Sequence, residues 1–261
     1  MENPIPVTEI AAIDVHGHYG DYHVDQFPAL INQFHGADAA TVLRRAELAH
    51  TALTIVSPNS GLMPIGKADV VAANEEADHT VQKNPGLLQY VIVNPLQPRT
   101  FEQAHDMLAR PKCVGIKIHP EAHCYPIAEH EAVVLAHSGD ENSWPADIVP
   151  LADAFPEASV ILAHLGNGGR ASGDPDLQVR ALASAKHDNV YIDTSSARSL
   201  IPGLIEWAVA EVGVERLLYG TDTPCYYAPC QWARIAYTDL SAEQKRLILR
   251  DNAVKFFGLS D

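Results

Sequence analysis

A chain of 261 residues, 47% hydrophobic and 20% charged, has the balance of a globular protein with material for one large core, which sets disorder aside. Its formal charge of −15, from 33 acidic against 18 basic side chains, lacks the basic footprint of a nucleic-acid binder and repels anionic membrane surfaces. The four cysteines form no Cys-X-X-Cys pair, and the first residues carry no basic-then-apolar leader, so a cytoplasmic protein with reduced thiols is expected.

Apolar runs punctuated by glycine, proline and asparagine predict strands over 10–16, 51–57, 87–93, 112–119, 132–137, 158–164, 189–194 and 215–221. Helices are predicted between and after them, over 38–50, 67–83, 100–110, 144–155, 175–187, 200–213 and 241–256. Near-continuous apolar strands alternating with helices suit a parallel sheet covered by helices. At this length they predict an α/β fold of the (β/α)8 TIM-barrel type, one domain over 1–261. One join is short. Residues 120–131 leave room for about one helical turn where a parallel crossover usually takes a dozen residues or more. Either the helix between strands 4 and 5 is missing, or the chain lacks residues there.

The strand ends carry the chemistry. The first closes on Ile13-Asp14-Val15-His16-Gly17-His18, and side chains two apart in a strand project to the same side, so both imidazoles can grip one ion. The fourth ends in Lys117-Ile118-His119, the fifth in His137 and the sixth in His164. The eighth ends in Asp222, followed by Thr223-Pro224. In α/β barrels the active site is assembled at these C-terminal strand ends. We assign His16, His18, His137 and Asp222 as metal ligands, and His164 with Asp222 as the acid/base pair. Nitrogen and oxygen donors suit a borderline ion such as Zn²⁺ with one position open. Such an ion lowers the pKa of bound water, which makes a hydrolase of a small amide, ester or lactone the first expectation.

Lys117 is expected to bind an anionic substrate group or developing negative charge, and His119 to bind substrate or support a neighbour. After the seventh strand, Asp193-Thr194-Ser195-Ser196-Ala197-Arg198 offers Arg198, either as a carboxylate clamp or as a solvated helix start. Asp140 and Glu141 either orient a neighbour of His137 or face solvent.

The set His16-Gly17-His18, Lys117-Ile118-His119-Pro120, His137-Ser138-Gly139, Ala163-His164-Leu165-Gly166 and Gly220-Thr221-Asp222-Thr223-Pro224 resembles the amidohydrolase superfamily, in its amidohydrolase-2 branch. The resemblance implies a metal-dependent TIM barrel. It places one Zn²⁺ or Mn²⁺ on the strand-1 histidines, the strand-5 histidine and the strand-8 aspartate, with the strand-6 histidine catalytic or near the metal. A second ion, bridged by carbamylated Lys117, is the less favoured alternative. Homodimers and a small-molecule substrate are also implied. Since the branch includes nonoxidative decarboxylases related to aminocarboxymuconate-semialdehyde decarboxylase, a decarboxylase or hydratase of a small carboxylic acid stands as the second reaction, and an inactive binding barrel as a third reading.

Overall fold

The computed structural model describes residues 6–126, 135–169 and 171–259. In chain order these form β1 (Ala12–Tyr19), α1 (Ala29–His35), α2 (Ala39–Leu48), β2 (Thr51–Pro58), α3 (Val70–Lys83), β3 (Leu87–Ile92), α4 (Arg99–Met107), β4 (Cys113–Ile118) and α5 (Pro120–His123). There follow β5 (Leu135–Ala136), α6 (Pro145–Ala154), β6 (Val160–Leu162), α7 (Leu177–Ser184), β7 (Val190–Asp193), α8 (Leu204–Val212), β8 (Leu217–Leu218), α9 (Ala228–Ala236), α10 (Ala242–Arg246) and α11 (Asn252–Phe257). All eight strands are parallel and pair in sequence order. The ring closes where Val15 N donates to Tyr219 O (2.9 Å), His18 N to Thr223 O (2.6 Å) and Asp222 N to His16 O (2.7 Å). This is the (β/α)8 barrel that the sequence predicts.

Local chemistry sets the helix starts. Asp38 accepts from Thr41 N and Asp69 from Ala72 N, while Ser241 and Gln244 cap each other's backbone at the start of α10. Every residue of β1 is buried, as a strand covered on both sides requires. Inside the ring, Ile13, Val15, Ile55, Leu88, Tyr90, Leu135, Ile161 and Leu218 pack together, and Phe256 and Phe257 press on their margin from α11. Full burial of such an aliphatic side chain contributes about 1.5–3 kcal/mol, so this layer is a packed floor beneath the strand ends and not a channel.

The predicted strands 6 and 8 are longer than the observed ones, and at their C-terminal ends the chain turns out of the ladder before the polar residues. His164 and Asp222 both have left-handed backbone, with φ of 72° and 55°. Side chains rarely adopt that conformation, and it occurs preferentially at functional sites. Among the described residues two helices escape the sequence pattern, α1 and α9. In the short join, α5 is a single turn, and residues 127–134, on which the missing-helix question falls, lie outside the described residues. Among those described, no helix is long and apolar enough to cross a membrane.

Candidate active site

β1 delivers His16 and His18 to the C-terminal mouth, and the backbone bond from Asp222 N to His16 O brings the aspartate beside them. His18 Nε2 lies 3.3 Å and His16 Nε2 3.6 Å from Asp222 Oδ1. Donors around a tetrahedral ion with bonds of roughly 2.1 Å stand about 3.4 Å apart, so the spacing fits one cation. The far side of each ring is also prepared. Nδ1 of His16 donates to Asp193 Oδ2 (2.9 Å) and Nδ1 of His18 to Ser57 O (3.0 Å), which leaves each Nε2 bare toward the carboxylate. Three acceptors thus converge on one point, and a positive group, the Lys117 ammonium, already stands 2.8 Å from the first of them. Their charge states agree: burial, then the neighbouring Lys117, pushes the His16 imidazole well below its usual value. Burial alone would raise Asp222, but the imidazoles of His18 and His16 beside it outweigh that and hold the carboxyl well below the usual range. Neutral imidazole and ionised carboxylate are the forms a metal requires.

Lys117 is fully buried, with Nζ 2.8 Å from His16 Nε2. Burial lowers its pKa to about 8, with Asp222 and Asp193 opposing the shift. His164 stands next to His16, ring centroids 4.8 Å apart. Its backbone N–H donates to Asp193 Oδ1 (3.0 Å), its Nδ1 lies 2.8 Å from Ser195 Oγ, and its Nε2 lies 3.0 Å from His137 Nδ1.

His137, expected among the ligands, stands outside the His16–His18–Asp222 group. Its two nitrogens face His164 and Asp140, the latter at 2.9 Å. Asp140 therefore orients a neighbour, one of its two expected roles. His119, expected at the substrate, stacks on His137 (4.1 Å) and accepts from Ala122 N at the start of α5. Arg198 is exposed on a 3-10 turn over Ala197–Leu200, beside an open cavity of about 350 Å³ also lined by Gly166 and Ile201. Asp193 and Ser195, to which no role was assigned from sequence, join the two histidine groups. The polar run closing the seventh strand was the same signal that marked the other strand ends. The loops carrying His137 and His164 interlock at Gly139, with φ of 97°, where a Cβ would fall 2.0 Å from Asn167 O.

Four imidazoles, those of His16, His119, His123 and His164, are pushed below the ordinary value of 6.5, in each case first by burial, and His164 reaches about 3. Below pH 6.5 the unfolded chain protonates these rings while the folded one does not. Their stabilisation is therefore whole above that value and is lost as pH falls toward the folded values. In metal-free protein we expect Tm to drop across that window, and His123→Gln, which keeps a donor for Gly61 O, to flatten the slope. A Tm independent of pH between about 7 and about 4 would contradict this.

A model of the Amidohydro_2 amidohydrolase family matches residues 13–259. The chain belongs to this family. No curated protein sequence matches this amidohydrolase. Among solved structures, it is similar to 5-carboxyvanillate decarboxylase from Novosphingobium aromaticivorans, bound to manganese and a nitrobenzoic acid (14% identity, 97% of this chain and 98% of that one, TM-score 0.72). It is similar to 2,6-dihydroxybenzoate decarboxylase from Rhizobium (14%, 95% and 98%, 0.68). A dihydroxybenzoic acid decarboxylase from Polaromonas, with manganese and 2-nitroresorcinol, matches equally along its length (14%, 95% and 97%, 0.68). At this identity the shared property is the barrel. The comparison nonetheless overturns the hydrolase expected from the sequence, because most of these structures are decarboxylases of aromatic acids, the second reaction the sequence allowed. A donor set that can activate water does not by itself choose hydrolysis.

Proposed function

We propose that this amidohydrolase is a metal-dependent nonoxidative decarboxylase of a small aromatic carboxylic acid. The observation that carries the reading is the buried Lys117 ammonium, 2.8 Å from His16 Nε2, next to the position where His16, His18 and Asp222 would hold one Mn²⁺ or Zn²⁺. Two decarboxylases with the same barrel hold manganese, which favours Mn²⁺ over the zinc first expected. When bound, the ion supplies positive charge that fixes the substrate's acidic oxygens and draws electron density from the ring. Lys117 adds a second, preorganised charge at the same place. Decarboxylation breaks one C–C bond, leaves its electron pair on the ring carbon, and requires that carbon to take up one proton. We assign its transfer to His164, a reading supported by His137 3.0 Å behind Nε2 and Asp140 2.9 Å beyond His137 on the part-exposed side. Arg198 is assigned to a second acidic group of a larger substrate. The four free cysteines support a reducing, cytoplasmic setting.

The test is release of labelled CO₂ from a panel of carboxyl-labelled hydroxybenzoic acids by protein loaded with Mn²⁺ or Zn²⁺. We expect turnover of at least one ortho-hydroxy acid, lost on chelation. No labelled CO₂ from any acid, with turnover of esters or lactones, would overturn the reading.

A further inference from the structure

Ser195 lies just beyond β7, fully buried, and its Oγ has three polar neighbours: His164 Nδ1 at 2.8 Å, His16 Nδ1 at 3.0 Å, and Asp193 Oδ1 in close contact. A hydroxyl has one proton to give and two lone pairs to offer. The carboxylate oxygen of Asp193 only accepts, so the serine proton goes there and the lone pairs face the imidazoles. A ring meeting a lone pair must bring its N–H. For His16 the choice is already made by Asp193 Oδ2 at 2.9 Å. For His164 two partners compete: Ser195 Oγ, the only partner of Nδ1 among the described residues, and at Nε2 the Nδ1 of His137, a ring that turns its other nitrogen to the Asp140 carboxylate. The turn at this point is closed by the Ser195 backbone N–H, which donates to Asp193 Oδ1 (2.9 Å); the turn therefore does not explain why a hydroxyl stands here.

We propose that Ser195 is a positioning residue that sets the tautomer of His164. With its own proton fixed on the Asp193 carboxylate, the hydroxyl holds the ring proton on Nδ1 against the pull of His137 and leaves Nε2, the nitrogen that the proposed reaction uses, able to accept. Without the hydroxyl the remaining partner, His137 Nδ1, draws the proton to Nε2, where it blocks proton uptake. The effect on rate rests on the decarboxylase reading. The tautomer itself does not.

The experiment uses the full chain, ¹⁵N-labelled at histidine and loaded with diamagnetic Zn²⁺, as wild type, Ser195→Ala and Ser195→Thr. Long-range ¹H–¹⁵N spectra of the imidazoles report which nitrogen carries the proton, with His164 assigned by His164→Asn. We expect Nδ1–H in wild type and Ser195→Thr, and mixed or Nε2–H signals in Ser195→Ala. Metal per chain should be unchanged in all three, because Asp193 still orients His16. In turnover, kcat of Ser195→Ala should fall about 10–100-fold with KM little altered, and Ser195→Thr should recover most of it. A His164 that keeps Nδ1–H in Ser195→Ala, or that carries Nε2–H in wild type, would overturn the proposal. So would loss of zinc from Ser195→Ala, which would show the hydroxyl acting through His16. If no aromatic acid is turned over by wild type, the reading of the reaction fails while the ring spectra still decide the role of Ser195.

Discussion

The His16→Ala/His18→Ala protein is expected to emerge from purification without bound manganese or zinc, where wild type carries about one ion per chain. Both residues come from a single strand, and together with Asp222 they supply every member of the converging acceptor group. Removing two of three leaves a lone carboxylate, which holds a transition ion poorly. The surrounding barrel does not depend on them for apolar packing, since Ile13 and Val15 carry β1 into the core. The variant should therefore fold and be inactive. Elemental analysis beside circular dichroism checks both halves. An ion retained at full occupancy by the double variant would place the centre elsewhere, and about two ions per wild-type chain would make Lys117 a bridging ligand.

His164→Asn should keep the ion and lose the reaction. Its ring is not in the three-acceptor group and makes no bond to Asp222; its partners are Asp193, Ser195 and His137. Asparagine retains the backbone bond to Asp193 and a polar side chain but cannot carry a proton. A loss of roughly 10²–10⁴ in kcat is the share that a positioned acid/base group usually contributes. Steady-state turnover with metal content measured on the same sample tests it. Unchanged kcat would remove His164 from the proton's path and move that task to Lys117 or to water.

The barrel and the placing of its chemistry were legible from one property, apolar runs that end in a metal-competent side chain. That property locates a residue along the axis of the barrel. It does not say which neighbour a side chain will turn to once it is there. His137 ends its strand as expected, yet its nitrogens go to His164 and to Asp140, three residues further along its own loop. Choosing between an ion and those partners is a matter of ångströms that strand periodicity does not encode. In the run after β7, Arg198 is the charged group with reach, whereas the short side chains of Asp193 and Ser195 are the ones at the hub. Helix α1 was missed for the opposite reason: it buries none of its residues, so no periodic apolar face announces it. The reaction is not legible in the same way, because the donor set speaks only for a metal ion, while the bond that breaks depends on how substrate is held.

One feature of the barrel's closure reaches beyond catalysis. The bonds that join β1 to the end of the chain, from Asp222 N to His16 O and from His18 N to Thr223 O, involve the same residues that face the candidate ion. An ion held there clasps the first strand to the last, across some two hundred intervening residues, and its affinity counts toward folding. At a free concentration about a hundred times its Kd, such a ligand adds about 2.7 kcal/mol. Starved of the ion, a cell would hold less of this protein and not merely a less active form, because the seam would open more often to proteolysis.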